Sequence, residues 1–208
     1  MKLLGIACTI GLCLMFTVPG SFAADPPNFD FLGHVASVPT QPGGTLQLLS
    51  VINNNGVIPT PIPLDFTSTE HTLVIEATLL SQSGNVQLYS PGTVRLYSDS
   101  GPATAHDFAN PSTFSDGTLI LSGSFSGNLT RQLFTTSLGS TVGNISWSGG
   151  SRLGELGSNT SGWALGGGLS RGATLPSGYV ETWDGKIDQA TVAVNTSTWG
   201  AMKQLYRP

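Results

Sequence analysis

The sequence predicts an all-β protein: a single antiparallel β-sandwich, jelly-roll-like, with a closed β-barrel as the alternative architecture. Three observations lead there. Apolar and polar residues alternate with a period of two along most of the chain, turn residues bound each alternating run, and no stretch carries a convincing helical period. Strands with one apolar face must bury it, which a chain of this kind does by stacking two sheets or by closing one on itself.

The elements follow in order. Residues 1–23, "MKLLGIACTIGLCLMFTVPGSFA", combine a Lys near the start, an apolar run from Leu3 to Val18 and the small residues Ser21 and Ala23. This is the pattern of a secretory signal peptide cleaved after Ala23, and the apolar run is short for a bilayer span of ~20 residues. Residues 24–44 hold four prolines and a Gly pair and read as an extended lead-in with one short strand around Phe31 to Val38. An antiparallel β domain is expected over 45–198 and a short C-terminal tail over 199–208.

Within that domain the alternating runs are "TLQLLSVI" (45–52), "HTLVIEATLL" (71–80), "VQLYS" (86–90), "TVRLYS" (93–98), "GTLILSGSF" (117–125), "RQLFTTS" (131–137), "TVGNISWSG" (141–149), "GYVETW" (178–183) and "KIDQATVAV" (186–194). Pro91-Gly92 fits a tight turn with Pro first and Gly second, and Asp184-Gly185 fits a type I′ hairpin. "SQSGN" (81–85) suits a longer hairpin loop. The Gly-dense stretch 148–178 carries the apolar anchors Leu153, Leu156, Trp163, Leu165 and Leu169, so an irregular packed segment is expected there. The core should draw on Leu46, Leu48, Leu73, Ile75, Leu88, Val94, Leu96, Leu119, Leu121, Phe125, Leu133, Ile145, Trp147 and Val192.

Composition limits what the chain can do. Both cysteines, Cys8 and Cys13, fall in the signal, so the mature chain has no disulfide, thiolate ligand or cysteine nucleophile. Loss of Lys2 leaves seven basic against twelve acidic side chains, a formal charge of −5. That balance argues against nucleic acid or an anionic membrane as partner. No cofactor motif is present.

Four patterns invite a functional reading. "GLSRG" (168–172) has the G-x-S-x-G form of a nucleophile elbow with Ser170 in the centre, but no helix pattern follows and His34, His71 and His106 all precede it. The loop acids Asp99, Asp107 and Asp116 are weak calcium candidates without an EF-hand spacing. Asn128, Asn144, Asn159 and Asn195 begin N-x-S/T sequons. In "YVETWDGKID" (179–188), an Asp-Gly hairpin would set Glu181 opposite Asp188 and put Tyr179, Glu181, Trp183, Lys186 and Asp188 on one face. That face reads as a ligand platform for carbohydrate, where a Trp ring meets the CH face of a sugar, and Glu181 with Asp188 would be the acid pair if the protein were a glycosidase.

"STFSDGTLILSGSF" (112–125), "GWALGGGLS" (162–170) and "LPSGYVETWDGKI" (175–187) together resemble a group of uncharacterised bacterial secreted proteins, many of which end in a PEP-CTERM sorting tail. The resemblance implies export and no established activity. The end of this chain, "TWGAMKQLYRP", lacks the Pro-Glu-Pro, apolar helix and basic terminus of such a tail, so the resemblance implies a member that is released, to the periplasm or the outside, or held by non-covalent contacts, not sorted and anchored. The expected function is that of a secreted, non-enzymatic β-protein of the cell surface or extracellular matrix, with carbohydrate or other matrix components as partners. A secreted glycoside hydrolase is the alternative.

Overall fold

The computed structural model describes residues 26–54, 58–100, 105–172 and 174–189. The signal, the tail, Asn195 and Val192 lie outside them. Nine strands are formed: β1 Asn28–Val35, β2 Thr45–Ile52, β3 Thr69–Ser83, β4 Val86–Ser100, β5 Thr118–Phe125, β6 Leu129–Leu133, β7 Leu138–Gly149, β8 Trp163–Ser170 and β9 Glu181–Gln189. All pairings are antiparallel, and apart from β4 with β6 and β5 with β7 each runs between neighbours in sequence or closes the ring between β1 and β9.

Strands β5 and β6 share one position in that ring. The first half of β4 pairs with β6 and the second half with β5, and β7 divides between them in the same way. The break lies at Ser126–Asn128, where Gly127 takes φ 94 and the Ser126 N–H reaches the Asn144 carbonyl at 2.7 Å. The result is a closed eight-position antiparallel barrel. Of the two architectures expected from the sequence, the barrel is therefore the one formed, and it leaves no edge strand to protect.

The inward alternation fills the interior. Phe29, Phe31 and Val35 from β1, Leu46 and Leu48 from β2, Leu73, Ile75 and Leu79 from β3, and Trp183 and Ile187 from β9 are all buried in one cluster. Ten of the expected core residues are buried: Leu46, Leu48, Leu73, Ile75, Val94, Leu96, Leu121, Phe125, Ile145 and Trp147. Leu133 packs half-buried against that cluster, and Leu119 packs half-buried against a smaller one outside the barrel. Leu88 is only half-buried, because Gln87 and Tyr89 take the inward places on their stretch of β4.

Two expected hairpins are continuous strands. Pro91-Gly92 lies inside β4, at the gap between its β6 and β5 pairings and beside the register shift in β3. A proline is tolerated there because the broken ladder asks nothing of its missing N–H. Asp184-Gly185 lies in the middle of β9, paired on both sides from Glu181 or Thr182 onward. Gly185 is required by packing and not by a turn. A Cβ on it would stand 2.6 Å from the Gly166 carbonyl oxygen and 3.0 Å from the tip of the Phe31 ring.

The lead-in and the Gly-rich stretch also contribute regular structure. Residues 28–35 form β1, an integral stave between β2 and β9, and only 36–44 is an extended cover over one mouth. The Gly-rich stretch contains β8, with Leu156, Trp163, Leu165 and Leu169 buried as anchors. The β3–β4 connection is a tight hairpin at Gly84–Asn85, with Gly84 at φ 56.

Candidate functional site

The straight course of β9 separates the residues expected to share a face. Glu181 and Trp183 point into the barrel with Ile187, whereas Asp184 and Lys186 are exposed outside and Asp188 pairs with Lys186 at 3.1 Å. Glu181 and Asp188 are seven positions apart on one strand, about 23 Å at the usual rise. A glycosidase pair needs ~5–9.5 Å, so these two acids do not form one. Tyr179 sits before the strand and donates its hydroxyl to the Phe108 carbonyl at 3.0 Å, pinning the 105–117 loop to the outer wall. The five residues make no common platform because the Asp-Gly pair does not reverse the chain.

Glu181 instead anchors a polar network inside one end of the barrel. It is fully buried, Arg131 on β6 is 2% exposed and Gln87 on β4 is 4% exposed. Arg131 grips the carboxylate as a fork, with Nε 2.9 Å from Oε1 and Nη2 2.5 Å from Oε2. The Trp183 indole N–H reaches Oε1 at 2.7 Å, and Arg171 Nε, from the half-exposed end after β8, reaches Oε2 at 3.0 Å. Arg131 Nη1 and the Tyr89 hydroxyl both donate to Gln87 Oε1 at 2.9 Å. Gln87 Nε2 donates to the Pro39 carbonyl at 2.8 Å, which ties the cover segment to the network.

The electrostatics follow from these contacts. Burial alone would raise the Glu181 pKa, but the hydrogen bonds from Arg131 and Trp183, the Arg131 charge and the Arg171 bond outweigh it and hold the carboxyl below its ordinary value. Burial pushes the Tyr89 hydroxyl up to about 12, so it stays a proton donor. A carboxylate this fully occupied is poorly placed to exchange protons with a substrate; its chemistry is that of a lock.

At the other end the barrel is sealed by aromatic packing. Phe29 stacks on Trp163 at 6.1 Å and meets Trp147 edge-on at 6.2 Å. Beside this end, on the rim between β2 and β3, lies an open cleft of about 610 Å³. His71, 2% exposed, lines it, with Nε2 3.2 Å from the Asp65 carbonyl oxygen and the Phe66 ring edge-on at 5.1 Å. Neither the cleft nor the Arg131–Glu181 lock was singled out by motif. The available signal was a charged residue at an inward position in two strands, Leu129-Arg131-Leu133 and Glu181-Trp183, and a His opening a strand in phase with Leu73 and Ile75.

The remaining candidates disperse. Ser170 ends β8, and among the described residues no helix follows it. Among the described residues, no three His, Cys, Asp or Glu side chains come together as a metal site. Asp107 accepts the Ala109 N–H at 2.8 Å within its own turn, Asp116 is exposed, and Asp99 lies opposite Glu70 at the end of β4. His106 instead pairs with Glu70, Nδ1 to Oε1 at 2.5 Å. Asn128, Asn144 and Asn159 are exposed.

No protein-family model, no curated protein and no solved structure matches this chain.

Proposed function

We propose that the protein is a secreted, non-catalytic β-barrel of the cell surface or extracellular matrix that acts through its outer surface, with carbohydrate as the ligand class. The observation that carries this reading is the interior: large apolar side chains fill it, and the one charged cluster that the described residues place within it is consumed by its own ion pairs. A barrel of eight strands is just wide enough for side chains to pack it, which leaves binding to the rim and the outer wall. The signal-like start and the cysteine-free mature sequence support export, and the acidic balance supports a neutral partner over a polyanion.

The reading is tested with the exported protein and a panel of immobilised and soluble polysaccharides. Retention on at least one polymer without release of reducing ends is expected. Release of reducing ends that persists on repurification would overturn it in favour of a hydrolase, and absence of retention on every polymer would remove carbohydrate as the ligand class.

A further inference from the structure

We propose that the outer face of β6, β7 and β8 is the contact surface for a second copy of this chain. Two copies pack as an isologous pair, with the β7 ridge of each seated over a glycine trough on β8 of the other. The inference goes beyond the carbohydrate reading above and stands without it.

Six large apolar side chains are exposed among the described residues, and four of them lie on or beside this face. Val142 at 52% and Leu138 at 55% mark the outer side of β7. Phe134 at 62% follows β6 and donates its N–H to the Leu138 carbonyl at 2.9 Å, and Val180 stands just before β9. On β8, next to that ridge, the outward places are Ala164, Gly166 and Gly168. The barrel does not require either glycine. Neither has a positive φ; a Cβ on Gly166 would meet nothing within 4 Å, and one on Gly168 would only touch the Asp184 carbonyl oxygen at 4.0 Å. Gly167, in phase with Leu165 and Leu169, is different, since its Cβ would stand 2.7 Å from the Asp184 carbonyl oxygen. The wall therefore carries an exposed apolar ridge beside a trough left bare without internal cause, and contiguous apolar surface of this kind marks a contact site.

The strand register makes ridge and trough complementary to each other. Val142 lies level with Gly166, Ser140 with Gly168 and Leu138 with Ser170. A two-fold axis close to the strand direction and midway between β7 and β8 exchanges those strands at constant height, so it sets Val142 of each copy over Gly166 of the other. The flanking strands exchange in the same way. Thr130 is level with Val142 and Lys186 with Gly166, so these two meet, and by the same rule Gln132 meets Asp184. No charge is set against its like, and the Asp184 carboxylate gains an amide donor. Any other partner would have to bring its own ridge and trough at this spacing; a second copy carries both. Four strands at ~4.8 Å by seven residues at ~3.3 Å give a footprint of roughly 450 Å² on each copy, so the total near ~1,000 Å² is that of a weak, reversible dimer.

The experiment is sedimentation velocity on the intact exported protein between ~1 μM and ~1 mM, which spans weak association. A mass rising from one chain towards two is expected, with the midpoint moved up at least about tenfold in Gly166→Val and in Leu138→Asp and unchanged in Leu80→Asp, at an exposed leucine on β3. Gly166→Val should melt no lower than the unaltered chain, because its Cβ has room and valine suits a strand, which separates a blocked contact from a misfolded barrel. If it does not fold, Leu138→Asp decides the matter. Association should also persist as NaCl rises from ~0.05 to ~0.5 M, since screening relieves the repulsion between two acidic copies. A single-chain mass throughout, an association that Leu138→Asp leaves intact, or one that salt dissolves would overturn the proposal. A chain that stays monomeric and loses polysaccharide retention in Gly166→Val would also overturn it, and would assign the face to carbohydrate.

Discussion

The two ends of the barrel are closed by opposite means. At one, Phe29, Trp147 and Trp163 pack against each other; at the other, Arg131 and Arg171 converge on the buried Glu181 carboxylate beneath Trp183. The aromatic end gains from area removed from water and tolerates imperfect polar pairing: the Trp147 indole N–H is buried without a partner among the described residues. The charged end has no such tolerance. Two desolvated charges offset their burial only while every partner stays in place. Tolerance and fragility are thus divided between the two mouths of one stave bundle.

The largest expected effect breaks the charged end outright. Glu181→Ala leaves the Arg131 guanidinium buried and unpaired, and should cost about 3–5 kcal/mol in urea or thermal unfolding. The double variant Glu181→Leu with Arg131→Met should recover part of that loss, because an apolar pair of similar volume removes both buried charges while the Trp183 N–H still loses its acceptor. If the double variant is no better than the single, the ion pair itself is not what the cost measures.

A smaller effect compares the same substitution at both ends. Trp183→Phe and Trp147→Phe remove similar volume, but only Trp183 Nε1 donates to a carboxylate, at 2.7 Å. The first should therefore cost about 1.5–3 kcal/mol more than the second. Equal losses by chemical denaturation would mean that packing governs both sites.

The smallest effect separates the ends by pH. Burial lowers the His71 pKa near the aromatic end, so the unfolded chain binds its proton first and stability should begin to fall as pH drops below about 6.5. The Glu181 pKa is held below its ordinary value, so its contribution is present above about 4.5 and is lost as pH falls further. A melting-temperature series should show two acid-side declines, with the upper one flattened in His71→Phe and the lower one reduced in the Glu181→Leu, Arg131→Met variant.

How much of this was legible depends on what each residue is for. "TLQLLSVI" is β2 to the residue, because alternation and punctuation agree there. Pro91-Gly92 and Asp184-Gly185 have the chemistry of turns and do not make them. Local preference was overridden by a ladder that runs along both sides of β9, and by a gap in the ladder at Pro91. Strand β8 was hidden because Gly166, Gly167 and Gly168 erase the alternation that marks a strand, while Trp163, Leu165 and Leu169 keep its phase. The error over Asp184-Gly185 carried the site with it. Once the chain is not reversed there, Glu181 falls in phase with Trp183 and Ile187, and its partner lies on β6, 50 residues earlier, at a distance in sequence that no spacing rule reaches.

The ring closes between its first and last strands, with Asn28 opposite Asp188. Such a contact must wait for nearly the whole described chain to exist, and the loop it closes is among the longest a chain of this size can pay in entropy. Until β9 arrives, both β1 and β8 stand with open ladders, and Arg131 has no carboxylate to meet. The strand that seals the wall is thus also the one that carries Glu181 and neutralises the charge within.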